Sequence, residues 1–172
     1  MSKITSSQLK KALNGLSPKE LADELLFLQK TYPQVADYFT SKYGEGENSV
    51  IDDYKAIVKN EFFPKRGYGK IHLSTAKKAI SDFKKISTTQ ESVIDIMLYY
   101  VEQGVKFTKE YGDINESFYI SIETVFEDSL KLMVEHKLVE GFRPRCDWIV
   151  KNAIDGWGFR EGLESSYHVH LK

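Results

Sequence analysis

The sequence predicts an all-α fold, a single-domain multi-helix bundle or a short irregular α-solenoid of about 8–9 helices. Three observations carry that expectation. Apolar residues recur at helical spacing along most of the 172-residue chain. No segment sustains the period-two alternation of a half-buried strand. No Asn-Gly or Asp-Gly pair joins two β-rich runs, because Asn14-Gly15 and Asp155-Gly156 both fall at helix boundaries.

The elements follow from their start and stop signals. A first helix near 6–13 stops at Asn14-Gly15. The second, near 18–31, opens on SPKE (Ser17 to Glu20), with a Ser cap, a Pro at the first helical position and a Glu three residues after the cap. A third spans 33–43 and stops at Tyr43-Gly44, and a fourth spans 48–62. The fifth, near 74–86, places Ala76, Ala79, Ile80, Phe83 and Ile86 on one face and Lys77, Lys78, Lys84 and Lys85 on the other. TTQE (Thr88 to Glu91) opens a sixth near 89–110, stopped by Tyr111-Gly112. DINE (Asp113 to Glu116) opens a seventh near 115–139, stopped by Gly141. Segments 143–153 and 158–169 complete the set, and the sixth and seventh helices are expected to form a central hairpin.

A chain of this length suits one compact domain, 1–172, with a real core. Most links are short, which favours antiparallel neighbours. The loop 63–73 contains Pro64, Gly67 and Gly69 and is the best candidate for a hinge or binding loop. It also offers a division between a small N-terminal lobe, 1–62, and a larger C-terminal lobe, 74–172.

Composition excludes several classes. Hydrophobic residues make up 41% and charged residues 28%, which argues against disorder. A formal net charge of −1 gives no global pull toward nucleic acid or an anionic membrane. Cys146 is the single cysteine, so no intramolecular disulfide and no multi-thiolate zinc site is possible. MSKITSSQLKK lacks the apolar core of a signal peptide, and the densest apolar run, Val93 to Val101, is too short to span a bilayer. A cytoplasmic protein with no membrane partner is expected.

Local charge is less even. Phe62 to Ile86 holds Lys65, Arg66, Lys70, Lys77, Lys78, Lys84 and Lys85 against the single acid Asp82, a balance of +6. With Tyr68 and His72 nearby and free amides near Ser74, that segment is compatible with binding nucleic acid or another polyanion. The plainer reading is a solvated lysine face, or one that meets Ser87 to Phe142, where eleven acids against four bases leave −7. A phosphate loop is excluded, because Lys70 is followed by Ile71 and no glycine stands at the required distance before it.

Other constellations are weaker. DINESFYISIET opens like a calcium loop but has Phe118 and Thr124 where Gly and Glu are required. Glu161, Glu164 and His168 share one helical face, with His170 close by, and mark the place for an enzyme or metal site if one exists; an exposed carboxylate–histidine face is commoner. His136 continues the stripe Phe118, Ile122, Val125, Ser129, Leu132, Met133 and is expected in the core, with a catalytic base as the sharper alternative. Cys146 lies beside Arg145 and Asp147; a structural thiol is favoured over an activated one. Trp157, in DGWGF, is expected to anchor the last helix. No catalytic residue, metal ligand or cofactor is assigned.

FFPKRGYGK, YGDINESFY and DGWGF, with the leading LKKALNGLSPKELADELL, resemble a bacterial family catalogued as a domain of unknown function. The resemblance covers nearly the whole chain and implies a small, all-helical intracellular protein. It carries no established activity, so it assigns no site residue. The residues themselves favour a non-catalytic interaction module that binds a protein partner or a second copy of itself.

Overall fold

Capping chemistry sets where the helices begin. In the computed structural model, which describes residues 3–44, 47–67 and 71–171, nine helices follow one another: α1 (Ser6–Leu13), α2 (Pro18–Thr31), α3 (Pro33–Tyr43), α4 (Glu47–Phe62), α5 (Leu73–Ile86), α6 (Gln90–Tyr111), α7 (Glu116–Glu135), α8 (Val139–Asn152) and α9 (Phe159–Leu171). All regular structure among the described residues is helical, as the sequence predicts. Ser17 Oγ accepts the Glu20 amide at 3.3 Å while the Ser17 amide donates to Glu20 Oε2 at 2.8 Å, closing the box at the start of α2. Thr5 and Gln8 repeat it at α1.

Two caps differ from the sequence pattern. Thr89 caps α6 by accepting the Ser92 amide at 3.3 Å, one residue beyond Thr88. Asn115 caps α7 by accepting the Phe118 amide at 3.0 Å, two residues beyond Asp113. The Asp113 carboxylate is claimed instead by side chains, the Tyr119 hydroxyl at 2.5 Å and Trp157 Nε1 at 2.8 Å.

Helix α6 is the axis of the fold, with α4, α5, α7 and α8 packed around it and α9 laid along α7. The expected hairpin of α6 and α7 is present. One core runs from Val50 in α4 to Leu171 in α9, so α4 contributes Val50, Ile51, Tyr54, Val58 and Phe62 to the same cluster as the later helices. Its centre is aromatic: Phe62 meets Tyr100 with ring centroids 5.6 Å apart, and Tyr119 meets Phe159 at 4.8 Å. Where α6 crosses α7, Gly104 faces Ile122 so closely that a Cβ would stand 2.5 Å from Ile122 Cδ1.

The α7–α8 boundary corrects the sequence reading. Helix α7 ends at Glu135, before the expected 139, and Gly141 lies inside α8. The stop is a left-handed residue at Lys137 (φ 59°), with Leu138 N donating to Met133 O at 2.8 Å and Lys137 N to Val134 O at 3.2 Å. That is the paired hydrogen bonding of a Schellman turn, built here without glycine. Leu138 then packs against the core. His136 is the C-cap of α7 and is exposed, not buried: the helix that would have carried it inward has already ended.

The N-terminal end is different in kind. Neither α1 nor α2 buries a single residue, and α3 buries only Ser41. Helix α2 rests on α3, which in turn rests on α4 and α5. Among the described residues no helix is long and apolar enough to cross a membrane.

Candidate functional site

Helix α5 divides its lysines into two pairs. Asp82, largely buried at its base, receives Lys85 Nζ at 2.8 Å on one oxygen and Lys78 Nζ on the other. Those two ammonium groups hold the Asp82 carboxyl below its usual range. Lys77 and Lys84 have no ion partner among the described residues and flank a shallow depression lined by Ile80, Met97, Val125 and Asp128. Lys65 and Arg66 are exposed in the preceding loop, while Lys70 lies outside the described residues. Glu61 Oε2 accepts the His72 amide at 3.2 Å, so a carboxylate already stands at the start of α5.

The acid–histidine face of α9 stays open. Glu161 and His168 are exposed and Glu164 is half-buried. His170 Nε2 lies 3.9 Å from Glu127 Oε1, and no group of three or more His, Cys, Asp or Glu among the described residues is placed to hold a metal ion. Cys146 is fully buried, 3.9 Å from Met133 Sδ, and burial pushes its thiol up to about 12, the opposite of activation. Trp157 holds Asp113 through its ring nitrogen yet leaves 61% of its surface exposed, so it anchors by an edge and not by burying its face.

A second region, missed by sequence reasoning, forms where α4, α6 and α8 converge. Arg145 of α8 spans two acids of α6, with Nε 2.6 Å from Glu102 Oε1 and Nη1 2.5 Å from Asp95 Oδ1. Lys55 of α4 completes the cluster at 2.7 Å from Asp95 Oδ2, and its ammonium also lies over the Tyr99 ring. Burial works against the Arg145 charge, but Glu102 and Asp95 outweigh it and hold the guanidinium above its ordinary pKa. This ion network pins three helices together.

Beside it opens a groove of about 550 Å³. Tyr99, Gln103, Lys106 and Glu110 line it from one face of α6; Lys59 and Phe63 line it from the end of α4, and Trp148 from α8. Lys106 Nζ lies 5.4 Å from the centroid of the Trp148 ring. Lys109 Nζ, at the rim, donates to Asn152 Oδ1 at 2.8 Å.

A family model described as a family of unknown function (DUF6155) matches residues 1–169. The chain belongs to this family. No curated protein and no solved structure matches it. The groove of this DUF6155 chain had one sequence signal, the stripe Tyr99–Gln103–Lys106–Glu110 at helical spacing along one face of α6. Its partners, Lys59 and Trp148, stand 38 or more positions away and converge only in the folded chain.

Proposed function

We propose that this protein is a non-catalytic helical module that associates with a second copy of itself through its N-terminal arm, α1 and α2. One observation carries the reading: α2 buries none of its residues while displaying Leu25, Leu26, Phe27 and Leu28 in a row, with Phe27 60% exposed. Between α2 and α3 lies an apolar groove of about 660 Å³ lined by Ala22, Leu25, Leu26, Phe39 and Tyr43. Contiguous apolar surface of this kind marks an interaction site. Burying a fully exposed side chain of this size contributes about 1.5–3 kcal/mol, and covering these part-exposed ones contributes about half of that.

Charge favours another copy as the occupant. Helix α1 carries Lys10 and Lys11 and no acid, whereas the first half of α2 carries Glu20, Asp23 and Glu24 against the one base Lys19. A two-fold arrangement that sets the α1 of each copy on the other's α2–α3 groove brings these opposite charges together while burying Leu9 and Leu13. Light scattering coupled to size exclusion tests it. The wild-type chain is expected to run as a dimer that dissociates over a ~100-fold dilution, and Leu26→Glu/Phe27→Glu as a monomer with unchanged helicity. A wild-type chain that stays monomeric throughout overturns the reading.

The basic segment supports a second reading, polyanion binding through Lys65, Arg66, Lys70, Lys77, Lys78, Lys84 and Lys85. Of the described members, Lys77 and Lys84 favour it most, since Asp82 pairs with Lys78 and Lys85 but not with them. Binding to mixed RNA and DNA across a salt series, beside Lys77→Glu/Lys84→Glu, decides it. Replacing each lysine that contacts a phosphate is expected to lower the salt slope by about 1. No binding at low salt would make these lysines ordinary surface.

A further inference from the structure

Gln103 is 3% exposed, yet its amide has no hydrogen-bond partner among the described residues. Neither of its polar atoms is sealed from solvent, and the side chain forms part of the groove between α4, α6 and α8. Solvent reaches the amide in the open groove, and a ligand with complementary groups that enters can take the place of that water.

The walls say what that ligand is. Lys59, Lys106 and Lys109 converge on the groove against the single acid Glu110, and no carboxylate among the described residues pairs with any of the three. Such a concentration of ammonium groups suits a phosphate, whose oxygens take several donors at once. Tyr99 and Trp148 line the groove from two different helices, with Phe63 just past the end of a third, and aromatic side chains attract flat unsaturated rings. Gln103 presents one donor group and one acceptor at the floor, the pair that reads the edge of a heteroaromatic base. The volume of about 550 Å³ lies within the range for a small ligand. Beside the groove, the ion network of Lys55, Asp95, Arg145 and Glu102 holds the three helices that form it. We propose that this groove binds a phosphate-bearing aromatic base, as in a mononucleotide or the end of a single strand. This site is separate from the self-association arm.

Titration of the full chain carrying Trp157→Phe tests it, because Trp148 is then the sole tryptophan and its emission reads the groove. The probes are the four common ribonucleoside monophosphates, ribose 5-phosphate, inorganic phosphate and a six-nucleotide single strand. Saturable binding of at least one monophosphate is expected with Kd of ~10–1,000 μM, as befits an open groove. Ribose phosphate and inorganic phosphate are expected to bind at least ~10-fold more weakly, since they leave the rings and Gln103 unused. Lys59→Glu/Lys106→Glu weakens the nucleotide at least ~10-fold. Gln103→Leu keeps the buried volume and the melting temperature, weakens the nucleotide ~5-fold or more and leaves inorganic phosphate unchanged. A single strand that binds tighter than its monomers identifies nucleic acid as the source, and equal affinity identifies the free nucleotide. The proposal is overturned if no nucleotide binds up to ~5 mM, if inorganic phosphate binds as well as the nucleotide, or if the folded variants bind like the parent.

Discussion

Gly104 and Ile122 meet where α6 crosses α7 with no room for a side chain between them. A Cβ on Gly104 would stand 2.5 Å from Ile122 Cδ1 and 2.9 Å from its Cγ1. Alanine improves helix propensity by about 1 kcal/mol, but forcing an extra methyl into a packed core costs about 1–3 kcal/mol. The 2.5 Å approach puts the cost at the upper end of that range, so Gly104→Ala is expected to lower stability by up to about 2 kcal/mol in urea denaturation. Ile122→Val removes the nearest atom, so the double variant should recover part of the loss. A Gly104→Ala chain as stable as wild type would show that the two helices part freely.

Arg145 bridges Glu102 and Asp95, and Glu102 is only 15% exposed in its side chain. Arg145→Met strips the cation and leaves that acid underneath uncompensated. The expected loss is about 1–3 kcal/mol, below the value for a fully buried pair because water still reaches the site. Adding Glu102→Gln to Arg145→Met should restore much of it, and a double-mutant cycle reads the coupling. Additive losses would mean that the network contributes nothing beyond its separate members.

Cys146 is sealed in the core and its thiol is raised to about 12, so almost no thiolate exists at pH 8. In the native chain it is expected to resist a thiol-titrating disulfide reagent and to react fully after addition of guanidinium. Rapid labelling of the folded protein would place the thiol at the surface.

Glu123 of α7 lies against Gly162 of α9, and its carboxylate would be 2.9 Å from a Cβ added there. Burial raises its pKa above the ordinary carboxylate value. A pKa higher in the folded than in the unfolded chain contributes stability that is present below the unfolded value and is lost as pH rises through the folded one. Glu123→Gln is accordingly expected to raise the melting temperature at pH 7 and to leave it nearly unchanged at acid pH, where the wild-type group is already neutral. Equal effects at both pH values would exclude the titration as the cause.

Helix starts and the faces of long helices were legible because their causes are local. Ser17 and Glu20 satisfy each other within one turn, and Ala76, Ala79, Ile80, Phe83 and Ile86 repeat at the helical period and are all buried. What escaped was decided by distant partners or by an unusual residue. Asp113 looked like a cap, but Tyr119 and Trp157 reach it first. The end of α7 uses Lys137 in a conformation that normally calls for glycine, so Gly141 drew attention and His136 was carried too far along its stripe. Lys59 and Trp148 lie far along the chain from the α6 stripe that carries Gln103; their meeting is a property of the packing of three helices.

The exposed arm has a consequence for how the molecule opens. Cooperative unfolding spreads only as far as shared burial does, and α1 and α2 contribute no buried residue to the core. An isolated chain is thus expected to open first at this arm, a lever on a rigid body. Amide protons of the lever exchange through brief local openings within the native state, while those of α6 wait for the whole molecule to come apart. Pairing two levers would slow their exchange without altering that of the body.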